Sequence, residues 1–317
     1  MYQVAIIGAG QLGSRHLQGL KVAASPLTIY VVDSSQESLK VAKERYESVP
    51  AIGEKEAVFT DDINQLPSKL DFAVVATSSK PRASIVKLLL NHSVVNYLIL
   101  EKVLFTKLED YDEIESLLRT REVKCWVNCP RRMFGSYQEI KKNLSYSEPI
   151  NMEYIGKEWG LCCNAMHFID IFMYLTGEES YTLDTNGIEP GIIDSKRNGY
   201  VEMNGTLSLT TLKGNTLKLT SSKSLQNTPY VDIKNGMNYI ALDEIKGELT
   251  IEGKTSKVAT PFQSQMTGLL ADMVFSTGCC PLTPYEESAR YHRNFIKEFL
   301  LKYNDITKSD SNILPIT

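Results

Sequence analysis

Residues 1–122 alternate short, uninterrupted apolar runs with amphipathic stretches. Residues 3–7 are an apolar run that stops at glycine, and 12–20 follow with helical periodicity. Residues 27–32 are β-branched and aromatic and end at Asp33, while 36–46 place Leu39 and Ala42 on one side of a helix. A brief strand at 57–59, a continuous apolar strand at 72–77, a helix at 83–90 and a strand at 97–100 complete the series. Strands that are apolar throughout, without alternation, need cover on both faces. Joined by helices, they predict a doubly wound parallel sheet of the α/β class.

The pattern changes at about residue 123. Residues 123–129 and 152–157 read as strands, and 162–174 as a strongly apolar helix ended by Gly177. From 182 to 260 the chain is strand-like and rich in turns. Residues 206–212 and 216–222 flank Lys213-Gly214-Asn215 as a hairpin, and 239–243 and 248–252 flank a second turn. This predicts an antiparallel meander. A helix over 285–303 and a polar tail follow. The length of 317 residues fits two domains, 1–122 and 123–317, with the last helix and tail as the segment able to pack back on the first.

Chemistry enters at the first strand–helix junction. Gly8-Ala9-Gly10-Gln11-Leu12-Gly13 follows a strand and opens a helix, and Asp33 lies 20 residues after Gly13 at the end of the second strand. In that context the G-x-G-x-x-G run is a dinucleotide-binding turn of the Rossmann type. Gly8 allows the tight turn, Gly10 lets the backbone approach a pyrophosphate, and Gly13 lets helix and strand pack closely. The helix N-terminus offers N–H groups and partial positive charge to the phosphates. Asp33 suits the ribose hydroxyls of NAD and repels the 2′-phosphate of NADP, and no arginine follows it directly. The hydroxyls of Ser34 and Ser35 are the features that keep NADP open.

Two further places carry candidate chemistry. Glu101-Lys102 ends a sheet strand, at the edge where doubly wound sheets bind ligands, and a lysine there can orient a hydroxyl or relay its proton. On the helix over 162–174, spacings of three and four put Cys163, Asn164, His167 and Asp170 on one polar stripe. Such a stripe on an apolar helix needs hydrogen-bond partners or a ligand where it is buried.

In order and spacing, these motifs resemble the Gfo/Idh/MocA oxidoreductase family, named for glucose-fructose oxidoreductase, inositol dehydrogenase and a rhizopine-catabolism protein. The resemblance rests on residues 8–16, on Ala76-Thr77-Ser78-Ser79 as a second nucleotide-contacting loop, on Glu101-Lys102, and on His167-x-x-Asp170 followed by Leu175-Thr176-Gly177. It implies an N-terminal Rossmann domain and a C-terminal α+β domain with a large open antiparallel sheet. It also implies hydride transfer between a nicotinamide and a sugar, sugar acid or nucleotide-sugar derivative. Lys102 would contact cofactor and reacting hydroxyl, His167 would be the acid/base group with Asp170 beneath it, and Thr77, Ser78 and Glu101 would lie at the cofactor. Two positions depart from the family pattern. Val103 replaces the proline after Glu-Lys, and Cys163 replaces the aspartate four residues before the histidine. Asn164 can hydrogen-bond a hydroxyl but cannot act as a base. Arg131 and Arg132, near the start of the second domain, are candidate bidentate holders of a substrate carboxylate or phosphate.

Composition narrows the picture only slightly. A net charge of −4 argues against a nucleic-acid partner. The apolar runs fall short of a membrane span, so a cytoplasmic location is expected. The six cysteines match no zinc spacing and read as reduced thiols, so no metal is expected. An open sheet face predicts a homodimer or homotetramer. Val103 and Cys163 motivate an alternative, a non-catalytic NAD-binding sensor or partner subunit. A reductase of an imine or conjugated double bond is a third reading.

Overall fold

In a computed structural model, which describes residues 1–225 and 230–317, the chain divides into two compact units. The first contains residues 1–105, 109–128 and 261–285, and the second contains 106–108, 129–260 and 286–317.

The first unit opens with β1 (Tyr2–Ile7), α1 (Gln11–Lys21), β2 (Leu27–Val32), α2 (Gln36–Glu47) and β3 (Lys55–Thr60). It continues with β4 (Lys69–Val75), α3 (Ser79–His92), β5 (Val94–Leu100), α4 (Glu109–Thr120) and β6 (Lys124–Val127). Strands β3-β2-β1-β4-β5-β6 are parallel neighbours in that order, and Thr283–Pro284 adds an antiparallel edge beside β6. The strand interiors are dry: Ile6, Ile29, Val74 and Ile99 are completely buried. The order reverses direction at β1 and β4, which opens a crevice at their carboxyl ends, where ligands of doubly wound sheets bind.

Two helices of this unit escape the sequence pattern, α4 and the helix Gln263–Thr277. The second packs on α1 through small residues. A Cβ on Gly268 would stand 2.4 Å from the Gly19 carbonyl oxygen, and one on Gly19 would stand 3.0 Å from Thr267. A contact built from glycine and threonine carries little of the periodic apolar signal that marks a helix in sequence.

The second unit holds α5 (Gly135–Lys142), β7 (Ile150–Gly156), α6 (Leu161–Thr176), β8 (Tyr181–Asp184) and the short pair β9 (Ile193–Asp194) and β10 (Val201–Glu202). Then come β11 (Gly205–Thr211), β12 (Thr216–Ser221), β13 (Tyr230–Asn235), β14 (Asn238–Asp243), β15 (Glu248–Ile251) and β16 (Lys254–Lys257). The helix Gln263–Thr277 is α7, Thr283–Pro284 is β17, and α8 (Tyr285–Thr307) closes the series. The predicted hairpins are present as β11–β12 and β14–β15, although four residues of the stretch 182–260, namely 226–229, lie outside the described residues. The eight-stranded sheet runs β16-β15-β14-β13-β7-β12-β11-β8. It is mixed where a wholly antiparallel sheet was expected, because β7 and β12 pair in parallel, with α6 in the connection between them and packed on β12. One face is apolar, with Met152, Leu217, Leu219, Val231 and Ile233 buried, and the other bears polar pairs such as Glu153–Lys218. The tail belongs to this unit: Leu314 N–H donates to Thr106 O, and Val201 N–H donates to Pro315 O. Among the described residues, no helix is long and apolar enough to cross a membrane.

Candidate functional site

The carboxyl ends of β1, β2 and β4 bring together most of the residues nominated for a cofactor. Gly8 has φ +95°, and a Cβ there would meet Thr77 N at 2.8 Å. A Cβ on Gly13 would stand 1.7 Å from the Gly8 carbonyl oxygen. Both glycines are therefore fixed by the protein itself. At Gly10 a Cβ would meet nothing within 4 Å, so its bareness is not explained by packing and faces open space. Gly10 also caps α1 without any side-chain hydrogen bond, as an anion-binding helix start requires. The Asp33 carboxylate is held beside the turn: Oδ2 accepts from Ala9 N–H at 2.7 Å and Oδ1 from Ser35 N–H at 2.9 Å. Gly8, Asp33, Ser34 and Thr77 share a cavity of about 250 Å³ with Ile7, Ile63 and Leu88. Thr77 Oγ1 is buried without a hydrogen-bond partner. Ser78 caps α3 by position, with no hydrogen bond from its side chain. Gln11 is exposed and Leu12 half-buried on the first turn of α1. An apolar slot, a placed carboxylate, an orphan hydroxyl and an uncapped helix start fit an adenosine and its phosphates.

Glu101 behaves differently from its nomination. It is 2 % exposed and turned inward, and its Oε1 accepts from His16 Nε2 at 2.8 Å and from the Asn128 amide. His16 in turn meets Thr267 Oγ1 at 2.9 Å through Nδ1, and Asn128 donates to Gln263 at 2.9 Å. This buried network ties α1, the ends of β5 and β6, and α7 into one piece. Burial pushes the Glu101 carboxyl up, but hydrogen bonding and charge from His16, the Asn128 amide and the charge of Lys102 together hold it below the ordinary carboxylate value. Lys102 follows, half-buried, with a cis peptide bond to Val103.

No motif in the sequence marks Arg82. It is 1 % exposed, and its guanidinium donates to the carbonyls of Val103, Leu104 and Thr77, which stitches the loop after Lys102 to the nucleotide loop. A buried arginine must find acceptors, but nothing in the chain indicates that they are backbone carbonyls five, 21 and 22 residues away.

In the second unit, Gly160 and Gly177 adopt left-handed backbone at the two ends of α6, with φ 78° and 68°. Of the predicted polar stripe, Cys163, Asn164 and His167 are half-buried, whereas Asp170 is completely buried. The helix start is held by Glu202, whose carboxylate accepts from Cys162 N–H at 2.8 Å and Cys163 N–H at 3.1 Å. The Asn164 amide donates to Trp159 O at 2.8 Å. Cys163, Asn164, Trp159, Glu202, Asn204 and Lys196 are among the walls of a cavity of about 420 Å³.

The roles expected of Arg131 and Arg132 need correction. Arg132 donates two nitrogens to Asp170, at 3.1 and 3.3 Å, and one to Glu287 at 3.4 Å. Arg131 forks onto both oxygens of Glu244 at 2.8 Å and lies over the Phe168 ring. Tyr137 O–H also donates to Glu244, at 2.9 Å. Burial raises the Glu244 carboxyl, and the charge and hydrogen bonds of Arg131, with the Tyr137 hydroxyl, bring it below the ordinary value. Both guanidiniums, and Asp170 with them, are directed to groups of their own unit, because a charge at this depth needs a counter-charge.

Comparison with known proteins agrees with this reading of the first unit. Residues 2–129 match the Gfo/Idh/MocA oxidoreductase family, described by its NAD-binding Rossmann fold. A search of curated proteins found no match. Among solved structures, the chain is similar to UDP-N-acetylglucosamine 3-dehydrogenase from Acidithiobacillus ferrooxidans, at 13% identity, TM-score 0.71, covering 93% of this chain and 96% of that one. Biliverdin reductase from Synechocystis sp. PCC 6803, in complex with biliverdin and NADP+, matches at 15% identity and TM-score 0.70, covering 95% and 98%. A putative myo-inositol dehydrogenase from Sinorhizobium meliloti 1021 matches at 13% identity and TM-score 0.67, covering 95% and 98%. At these identities the likeness is one of fold. The family match spans residues 2–129, which hold the glycine turn and the six parallel strands.

Proposed function

We propose that the protein is an NAD-dependent dehydrogenase or reductase that exchanges a hydride with a CH–OH carbon of a sugar, sugar acid or nucleotide-sugar derivative. The observation that carries the cofactor half is the Asp33 carboxylate, held by two backbone N–H groups beside the glycine turn. Each of its oxygens keeps a lone pair for a ribose hydroxyl, and its charge opposes a 2′-phosphate. When bound, the nicotinamide supplies or accepts the hydride.

Lys102 orients the reacting hydroxyl, and His167 takes up or returns its proton. Glu101, held inward, keeps the segment of Lys102 in place and does not contact cofactor. Cys163 and Asn164 contribute contact and hydrogen bonding, since neither replaces a carboxylate base. The mixture of indole, amides, carboxylate and amine around the cavity at the start of α6 suits a polyhydroxylated ligand. The 3-dehydrogenase of a nucleotide sugar and the putative inositol dehydrogenase among the similar folds support the same reading.

The test is oxidation of NADH by a panel of free and UDP-linked ketosugars. His167→Ala is expected to lose roughly 10²–10⁴-fold in turnover with NAD affinity unchanged. Wild-type turnover in that variant removes His167 from the assignment. Cys163, together with the biliverdin reductase fold, favours one second reading, reduction of a conjugated double bond. Product analysis separates it from alcohol oxidation.

A further inference from the structure

Arg45, on the last turn of α2, reaches back over the start of α1. Its Nη1 donates to Ser14 Oγ at 2.6 Å and its Nη2 to Gln11 Oε1 at 2.7 Å, while Nη1 also lies 3.5 Å from the Gln11 carbonyl oxygen. All three acceptors are neutral, and among the described residues Arg45 makes no ion pair with a carboxylate. This sets it apart from Arg131 and Arg132, each forked onto an acid. Arg45 also lines a cavity of about 300 Å³ with Ala9, Gly10, Gln11, Glu37 and Ser38. Gly10 is the glycine whose missing side chain no protein contact explains, and it begins a helix that no side chain caps.

We propose that Arg45 is a phosphate-binding residue of the dinucleotide site, an inference that rests on the NAD(P) reading of that site. A clamp between α1 and α2 needs only donors to Gln11 and Ser14, which a neutral amide supplies as well. A permanent cation in the same corner as the α1 N-terminus is accounted for by an anion, to which a guanidinium presents paired N–H donors. Gln11 and Ser14 then fix the guanidinium before the ligand arrives. Two phosphates of the cofactor fit this chemistry: the pyrophosphate, common to NAD+ and NADP+, and the 2′-phosphate, found only on NADP+.

The experiment is titration of the full-length protein with NAD+ and with NADP+ at low and high salt, for wild type, Arg45→Gln and Arg45→Lys, with melting curves taken without nucleotide. Arg45→Gln is expected to melt as wild type and to bind at least about tenfold more weakly at low salt, the loss shrinking as salt rises. Arg45→Lys, which keeps charge but not the fork, is expected to fall between the two. Equal losses on both nucleotides place Arg45 at the pyrophosphate, and a loss confined to NADP+ places it at the 2′-phosphate. Unchanged affinity for both overturns the proposal and leaves Arg45 a helix clamp. Should Arg45→Gln fail to fold, wild-type affinity in Arg45→Lys overturns it equally. A wild type that binds neither nucleotide defeats the dinucleotide reading itself, a result distinct from either.

Discussion

The glycine turn of the first unit and helix α6 of the second were nominated on similar grounds, a motif in a plausible element, yet they are built in opposite ways. At the turn, the polar and charged groups are placed by backbone and left facing space: Asp33 is held by two N–H groups, and Gly10 opens on a cavity. On and around α6, the charges meet each other. Asp170 takes Arg132, Glu244 takes Arg131, and the helix start takes Glu202. Charged residues near a site are thus poor evidence of ligand contact until their partners are known. A polar group held by backbone beside an open cavity is better evidence, because its remaining valence has no protein claimant.

The largest contrast is expected inside the glycine turn. Gly13→Ala is expected to cost more than about 4 kcal/mol, read by urea denaturation or by loss of folded protein, since the added carbon would strike a backbone carbonyl. Gly10→Ala meets no protein atom, so its stability should stay within about 0.5 kcal/mol of wild type while NAD affinity falls roughly tenfold. Equal stability losses in the two variants would mean that Gly10 is structural as well.

A somewhat smaller effect is expected in the second unit. Asp170→Asn strips the buried counter-charge from Arg132, leaving Glu287, and should destabilise by about 3 kcal/mol. Arg132→Met combined with Asp170→Leu should recover much of this. A double variant as unstable as the single one would show that the pair acts through packing and not through charge.

The smallest effect is one of pH. The Glu244 carboxyl lies below the ordinary value of 4.5 in the folded protein, for the reasons of charge and hydrogen bonding given above. Its stabilising contribution is therefore complete above about that value and is lost as pH falls through the lowered one. Glu244→Gln should cost about 1–3 kcal/mol at neutral pH and flatten the acid limb of a melting-temperature profile. An unchanged acid limb would remove Glu244 from the groups that set acid stability.

Short-range features explain how much could be read directly from the chain. The parallel strands of the first unit are legible because burial on both faces writes an unbroken apolar run, as in 72–77. The turn at Gly8–Gly13 is legible because backbone conformation and close approach permit only glycine at its first and last positions, Gly8 and Gly13. The spacing to Asp33 follows from the length of one strand–helix–strand unit. The hairpin at Lys213-Gly214-Asn215 and the end of α6 at Gly177 are local in the same sense. Only the tertiary structure decided the rest, because each remaining feature depends on a partner remote in sequence. Helix α7 joined the first unit through glycine contacts 249 residues apart, at Gly19 and Gly268. The parallel pairing of β7 with β12 made the second sheet mixed. Glu101 turned from cofactor to His16, Arg131 and Arg132 turned from substrate to Glu244 and Asp170, and Arg82 found its carbonyls. A sequence states which residues carry charge. Which of those charges are neutralised is a matter of distance, and that is fixed only when the chain has folded.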